Sequence, residues 1–80
     1  MHQVHIPEGA LLRRINRRLY RDDFQVVKRC REASRAFSAL GRFYILDYDL
    51  NFVIATDIDL DTLAREVGVL RPGESLGEGA

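Results

Sequence analysis

Eighty residues make one domain at most and bury only about 60% of the unfolded chain's surface, which leaves little room for a deep substrate cavity. Hydrophobic residues at 46% and charged residues at 30% exclude a disordered chain, and a single cysteine excludes an internal disulfide framework. The net charge of zero conceals a division. Residues 1–42 carry ten Arg and Lys against four acids, a net of +6, while residues 43–80 carry two arginines against eight acids, a net of −6. Asymmetry of this kind between halves points to a binding role.

Residues 1–6 read as an N-terminal arm. Pro7 suits the first turn of a helix, where its missing N–H costs nothing, and Glu8 favours the same end through the helix dipole. From there to about Tyr20 the pattern is helical: at 100° per residue Leu11, Leu12, Ile15 and Leu19 fall in one sector, and Arg13, Arg14, Arg17, Arg18 and Arg21 in the opposite one. Asp22-Asp23 breaks the pattern and marks a turn. Phe24–Cys30, rich in β-branched and aromatic residues, reads as a strand. Residues 31–41 read as a loop with room for one helical turn, Phe37 and Leu40 tucked inward and Gly41 at its end.

Arg42–Tyr48 and Phe52–Asp57 are the clearest strands, joined through Asp49-Leu50-Asn51, where Asp and Asn tolerate the left-handed backbone of a tight hairpin. Phe43 and Ile45 share one side of the first, Tyr44, Leu46 and Tyr48 the other; a strand apolar on both sides belongs at the centre of a sheet. Asp59 caps a second helix with Leu60, Leu63, Ala64 and Val67 on its apolar face and Gly68 at its end. Val69 and Leu70 fold back on the core. Residues 72–80 read as a disordered tail, so the domain is expected over 7–71. The order α-β-β-β-α gives an α+β fold: a three-stranded antiparallel sheet with two helices on one face.

The arginine row is the main candidate for chemistry. Guanidinium is always charged and binds carboxylate or phosphate bidentately, so Arg13, Arg14, Arg17, Arg18 and Arg21 form a candidate partner-binding face; a solvated helix face is the alternative. Asp47, Asp49, Asp57, Asp59 and Asp61 form a second, acidic candidate. Their alternation is not a calcium loop: Phe52 and Thr62 stand where the glycine belongs, and Ile58 and Gly68 where the bidentate glutamate belongs. His2 and His5 precede the helix with no further ligand to complete a metal site. Cys30 reads as a small core residue rather than a nucleophile. No catalytic residue, metal or cofactor is expected. No apolar run approaches the ~20 residues of a membrane span and no basic-then-apolar leader opens the chain, so a cytoplasmic protein is expected.

The α-β-β-β-α order resembles the double-stranded RNA-binding domain, whose RNA contacts lie on the first helix, the loop after the first strand and the start of the last helix. Here the first helix is basic and Arg29, Arg31 and Arg35 lie at or beyond the first strand. The last helix, however, opens with Asp57-Ile58-Asp59-Leu60-Asp61, where that family has lysines, so the likeness covers topology and not motif. The stretches ALLRRINRRL, LGRFYILD and DLDTLAREVGVLRP, about two-fifths of the chain, resemble small open reading frames of phages, plasmids and integrative elements. That resemblance implies a non-enzymatic accessory or inhibitor protein of the anti-CRISPR or anti-restriction type, binding a protein partner stoichiometrically through a charged face. A nucleic-acid-binding module using the same arginines is the alternative. A homodimer is a third expectation, through an edge strand at Phe24–Cys30 or Phe52–Asp57.

Overall fold

In the computed structural model, which describes residues 4–77, the chain runs β1 (Val4–Ile6), α1 (Glu8–Asp23), β2 (Gln25–Arg29), α2 (Phe37–Leu40), β3 (Phe43–Asp47), β4 (Phe52–Ala55), α3 (Leu60–Glu66) and β5 (Glu74–Leu76). The expected α-β-β-β-α core is present as α1, β2, β3, β4 and α3, with β2-β3-β4 an antiparallel sheet centred on β3. Leu11, Ile15 and Leu19 from α1 meet Val27, Phe43 and Ile45 from the sheet and Leu60 and Ala64 from α3 in one buried cluster, so both long helices cover the same face. Val69 and Leu70 pack against that cluster, and Cys30 is buried at the end of β2.

The ends depart from expectation. Val4–Ile6 is not an arm, nor Glu74–Leu76 a disordered tail; the two pair as a parallel two-stranded sheet, and the domain extends beyond 7–71 at both ends. So short a pair would not hold in isolation. It is anchored because Ile6 is buried in the core, Leu76 packs against it, and the Asp61 carboxylate accepts a hydrogen bond from Leu76 N at 3.2 Å. His5, in β1, lies 3.4 Å from the Ser75 hydroxyl; His2 lies outside the described residues, as do the other terminal positions of the expected arm and tail.

Asp22-Asp23 does not break the helix either. Acids in a last turn oppose the dipole, but Arg18 and Arg21 both bond the Asp22 carboxylate, and α1 runs on to Asp23. It is closed by Phe24 at φ 55°, whose N–H reaches the carbonyls of Leu19 and Tyr20. A glycine normally takes that left-handed place; Phe24 is held in it by edge-on contact with the Tyr20 ring, centroids 5.3 Å apart. Residues 31–41 are a turn-rich loop with one short helix, Phe37 and Leu40 half-buried.

Two side chains fix the sheet. Asn16, in mid-helix, receives Val27 N–H on its carbonyl oxygen at 2.7 Å and donates to Val27 O at 3.2 Å, closing the free edge of β2. Asp47, buried at the end of β3, accepts Leu50 N–H at 2.8 Å and the Gln25 amide at 3.4 Å, which pins the β3–β4 hairpin. Glu8 spans Arg29 at 2.9 Å and Arg42 at 3.1 Å, and both guanidinium groups lie over the Phe43 ring. The start of α1 is thereby tied to the far end of β2 and β3.

Gly41 sits at φ 72°, and a Cβ there would run into the Asp57 carboxylate and stand 3.0 Å from Asp57 Cα. Gly41→Ala is expected to destabilise the fold by about 2 kcal/mol through backbone strain and the clash. Gly9, in the first turn of α1, meets nothing closer than 3.9 Å, and Gly9→Ala is expected to stabilise by roughly 0.5–1 kcal/mol. Urea midpoints of the two variants check the contrast; a shift in the same direction for both would contradict it.

Candidate anion-binding cleft

Along α1, positions 14, 17, 18 and 21 recur at the three- and four-residue spacing that places side chains on one stripe. That stripe faces the segment leaving α3, where Gly68 at φ 76° turns the chain and Val69, Leu70 and Arg71 run back alongside α1. Arg14, Arg17, Arg18, Arg21, Gly68, Val69 and Arg71 together line a cleft of about 400 Å³. Four of the five arginines expected as a face are thus gathered around one concavity. Arg71, some fifty residues away in sequence, joins them only through the fold.

The arginines differ in what they already hold. Arg14 donates from Nη1 to Glu74 Oε1 at 3.0 Å and to Val69 O at 3.3 Å, staking α1 to the far wall. Arg18 and Arg21 reach the Asp22 carboxylate through Nε at 3.3 and 3.2 Å, and among the described residues their terminal nitrogens have no carboxylate partner. Neither Arg17 nor Arg71 has a carboxylate within 4.0 Å of its guanidinium among the described residues. Five arginines against Glu74 and Asp22 leave the cleft and its rim at +3. Such a concentration of fixed cation in a concave wall attracts carboxylate or phosphate.

Arg13 does not line the cleft. At 100° per residue it falls on the outer flank of α1 beside Tyr20, roughly 100° from the mean direction of the other four. The Tyr20 ring there meets Phe24 edge-on and Tyr48 at a 6.0 Å centroid distance, a cluster of three exposed rings. Arg29, read as the start of an RNA-contacting loop, is engaged with Glu8.

The acidic candidate is dispersed into structural work. Asp47 is buried in its hairpin; Asp59 caps α3, accepting Asp61 N–H at 3.2 Å and the Thr62 hydroxyl at 3.0 Å. Asp61 bonds Arg65 at 2.6 Å as well as Leu76 N. Asp57, at φ 52°, packs on Gly41 and donates its N–H to Leu40 O. Asp49 is exposed in the hairpin turn. Asp47 is buried and Asp61 half-buried, while Asp49, Asp57 and Asp59 are exposed. Among the described residues, no three or more His, Cys, Asp or Glu are grouped to hold a metal ion, and no helix is long and apolar enough to cross a membrane.

Glu74 and Asp61, the two carboxylates that hold β5, both titrate below their ordinary range. For Glu74 the main cause is the hydrogen bond from Arg71 N–H, then that from Arg14; for Asp61 it is the Arg65 hydrogen bond, then that from Leu76 N–H. A carboxylate with a depressed folded pKa stabilises above its unfolded pKa and loses that contribution as pH falls through the folded one. Acidification below about pH 4 is therefore expected to release β5 from β1 before the main sheet opens. Amide exchange at stepwise lower pH reads this directly: earlier loss of protection at Leu76 than at Val27 is expected, and simultaneous loss would contradict it.

No protein-family model, curated protein or solved structure matches this chain, so the reading of the cleft rests on its geometry.

Proposed function

We propose that this protein is a non-enzymatic binding module that takes an acidic segment of a protein partner into the arginine cleft. The observation that carries the reading is the pair Arg17 and Arg71, which line the cleft without a carboxylate partner among the described residues. Leaving cations unbalanced at the wall of a concavity gains nothing for folding, whereas an incoming carboxylate meets both across the gap. Arg14, held by Glu74 and Val69, keeps that wall in place before the partner arrives. The lining contains no side chain that exchanges a proton near neutral pH and no nucleophile, which supports binding rather than turnover. With the resemblance of ALLRRINRRL, LGRFYILD and DLDTLAREVGVLRP to small open reading frames of mobile elements, the role proposed is that of a cytoplasmic accessory or inhibitor protein of the anti-CRISPR or anti-restriction type, acting by occupancy.

Nucleic acid is the second reading, and the ring cluster of Tyr20, Phe24 and Tyr48 is the observation in its favour, since stacking on aromatics accompanies single-strand binding. Tyr20, however, lies on the flank of α1 away from the cleft. A strand laid along Arg14, Arg17, Arg18 and Arg21 would leave those rings unused. Fluorescence anisotropy separates the readings: saturable binding of a labelled oligoglutamate peptide that is lost on Arg17→Glu/Arg71→Glu supports the first. Tighter binding of labelled single-stranded RNA, with a steep salt dependence and the same loss, replaces it with the second.

A further inference from the structure

One acid is built in behind a cleft otherwise made of arginines, and its place is not that of a loose counter-ion. Glu74 is absent from the cleft lining, and its side chain is 12% exposed against 47% for Asp22 at the other end of the stripe. Its carboxylate is turned onto two donors. Oε1 accepts the Arg71 backbone N–H at 2.8 Å and Arg14 Nη1 at 3.0 Å. Arg71 belongs to the segment returning from α3 and Arg14 to α1, so a single oxygen bonds both walls.

The local sequence brings Glu74 to that point. Arg71-Pro72-Gly73-Glu74 has the pattern of a type II turn: proline second, glycine third at φ 84°, and Glu74 N–H donating to Arg71 O at 3.0 Å. The carboxylate bond to Arg71 N–H closes the same turn a second time. Val4 N–H bonds Gly73 O at 2.9 Å and Val4 pairs with Glu74, so β1 holds the backbone here without help from the side chain. What the carboxylate adds is the link across to α1. Arg14 has one other bond to that wall, from Nη1 to Val69 O, and at 3.3 Å it is the longer.

We infer that, on the reading of the cleft as an anion site, Glu74 is its positioning residue: the carboxylate holds Arg14 and the Arg71 segment at a fixed spacing, and so raises affinity for anions although it is itself an anion. Charge alone predicts the reverse. An acid beside a basic cleft subtracts from its field, so removing it should tighten anion binding. Positioning predicts a loss, because the ligand must then order an arginine and a stretch of backbone that the native protein holds in advance.

Fluorescence anisotropy with a labelled oligoglutamate peptide separates the two, using variants matched in charge. Glu74→Gln and Glu74→Ala remove the same charge, but only glutamine keeps an oxygen that accepts from both Arg71 N–H and Arg14. Glu74→Ala is expected to bind roughly 10-fold more weakly than Glu74→Gln. Asp61→Ala loosens β5 by leaving Leu76 N–H and Arg65 without that carboxylate, and it touches neither Arg14 nor Arg71. It is expected to bind as the wild type does. Should Glu74→Ala fail to fold, Glu74→Asp against the wild type poses the same question at constant charge, one methylene short of the two donors, and a loss of the same order is expected. Equal affinities within the matched pair, or an equal loss from Asp61→Ala, would overturn the positioning role and leave the cleft as the anion site. A wild type that binds no peptide would overturn both.

Discussion

Ile15→Ala is expected to remove about 3 kcal/mol of stability and to lower the urea midpoint more than any substitution on the surface of α1. Ile15 is fully buried at the middle of the helix, between Leu11 and Leu19, and belongs to the cluster shared with Val27, Phe43, Ile45, Leu60 and Ala64. A protein of this size has only about 4–12 kcal/mol in total, so one cavity takes a large share. Neighbours cannot readily collapse into the space, because α1 is held at fixed depth by Asn16 on Val27 and by Glu8 on Arg29 and Arg42. The same cavity should loosen the cleft, since the four arginines ride on this helix. A midpoint shift no larger than that of a surface alanine would mean that α1 does not organise the core.

Reversing Arg17 and Arg71 together is expected to lower affinity for an oligoglutamate peptide at least 100-fold while leaving the fold intact. The fold survives because neither guanidinium is bonded to a carboxylate among the described residues; exposed charge changes of this kind move stability by about 0.5 kcal/mol. Affinity falls because two attractive groups become two repulsive ones at the wall of the cleft. Arg13→Glu is the matched control. It makes the same charge change as Arg17→Glu alone, on the same helix but outside the cleft lining, and is expected to cost clearly less than that single reversal. Equal losses from Arg13 and from Arg17 would show that net charge, not the cleft, does the binding.

The core sheet, α1, α3 and the capping role of Asp59 were legible because they are written locally: 3.6-residue periodicity for α1, a continuous aromatic and branched apolar run for β3, an Asx residue before an apolar stripe for α3. What escaped depended on distant partners. Val4–Ile6 and Glu74–Leu76 lie at opposite ends of the chain, and neither segment is long enough to announce a strand; only their mutual pairing and the burial of Ile6 make them one. Phe24 as a left-handed cap carries no glycine to signal it, and the paired Asp22 reads as a breaker until Arg18 and Arg21 are seen to neutralise it. Asn16 looks like a neutral helix residue until Val27 is placed beside it.

The cleft shows the same division. Helical spacing brought Arg14, Arg17, Arg18 and Arg21 onto one face, but it also included Arg13, because a 100° wheel cannot say which flank faces a neighbour. Arg71 carried no signal at all, since its place depends on the turn at Gly68 and the run of Val69 along α1. The acidic residues show it too: Asp47, Asp59 and Asp61 have backbone donors to satisfy and Asp57 packs against Gly41, partners that a count of charges does not reveal.

The most direct measurement is the affinity of the wild type, Arg17→Glu/Arg71→Glu and Arg13→Glu for a labelled oligoglutamate peptide at physiological salt, with single-stranded RNA in parallel. The expected result is saturable peptide binding that the double variant loses and the Arg13 variant largely keeps. No peptide binding by the wild type, or losses that follow net charge alone, would contradict an anion-binding role for the arginine cleft.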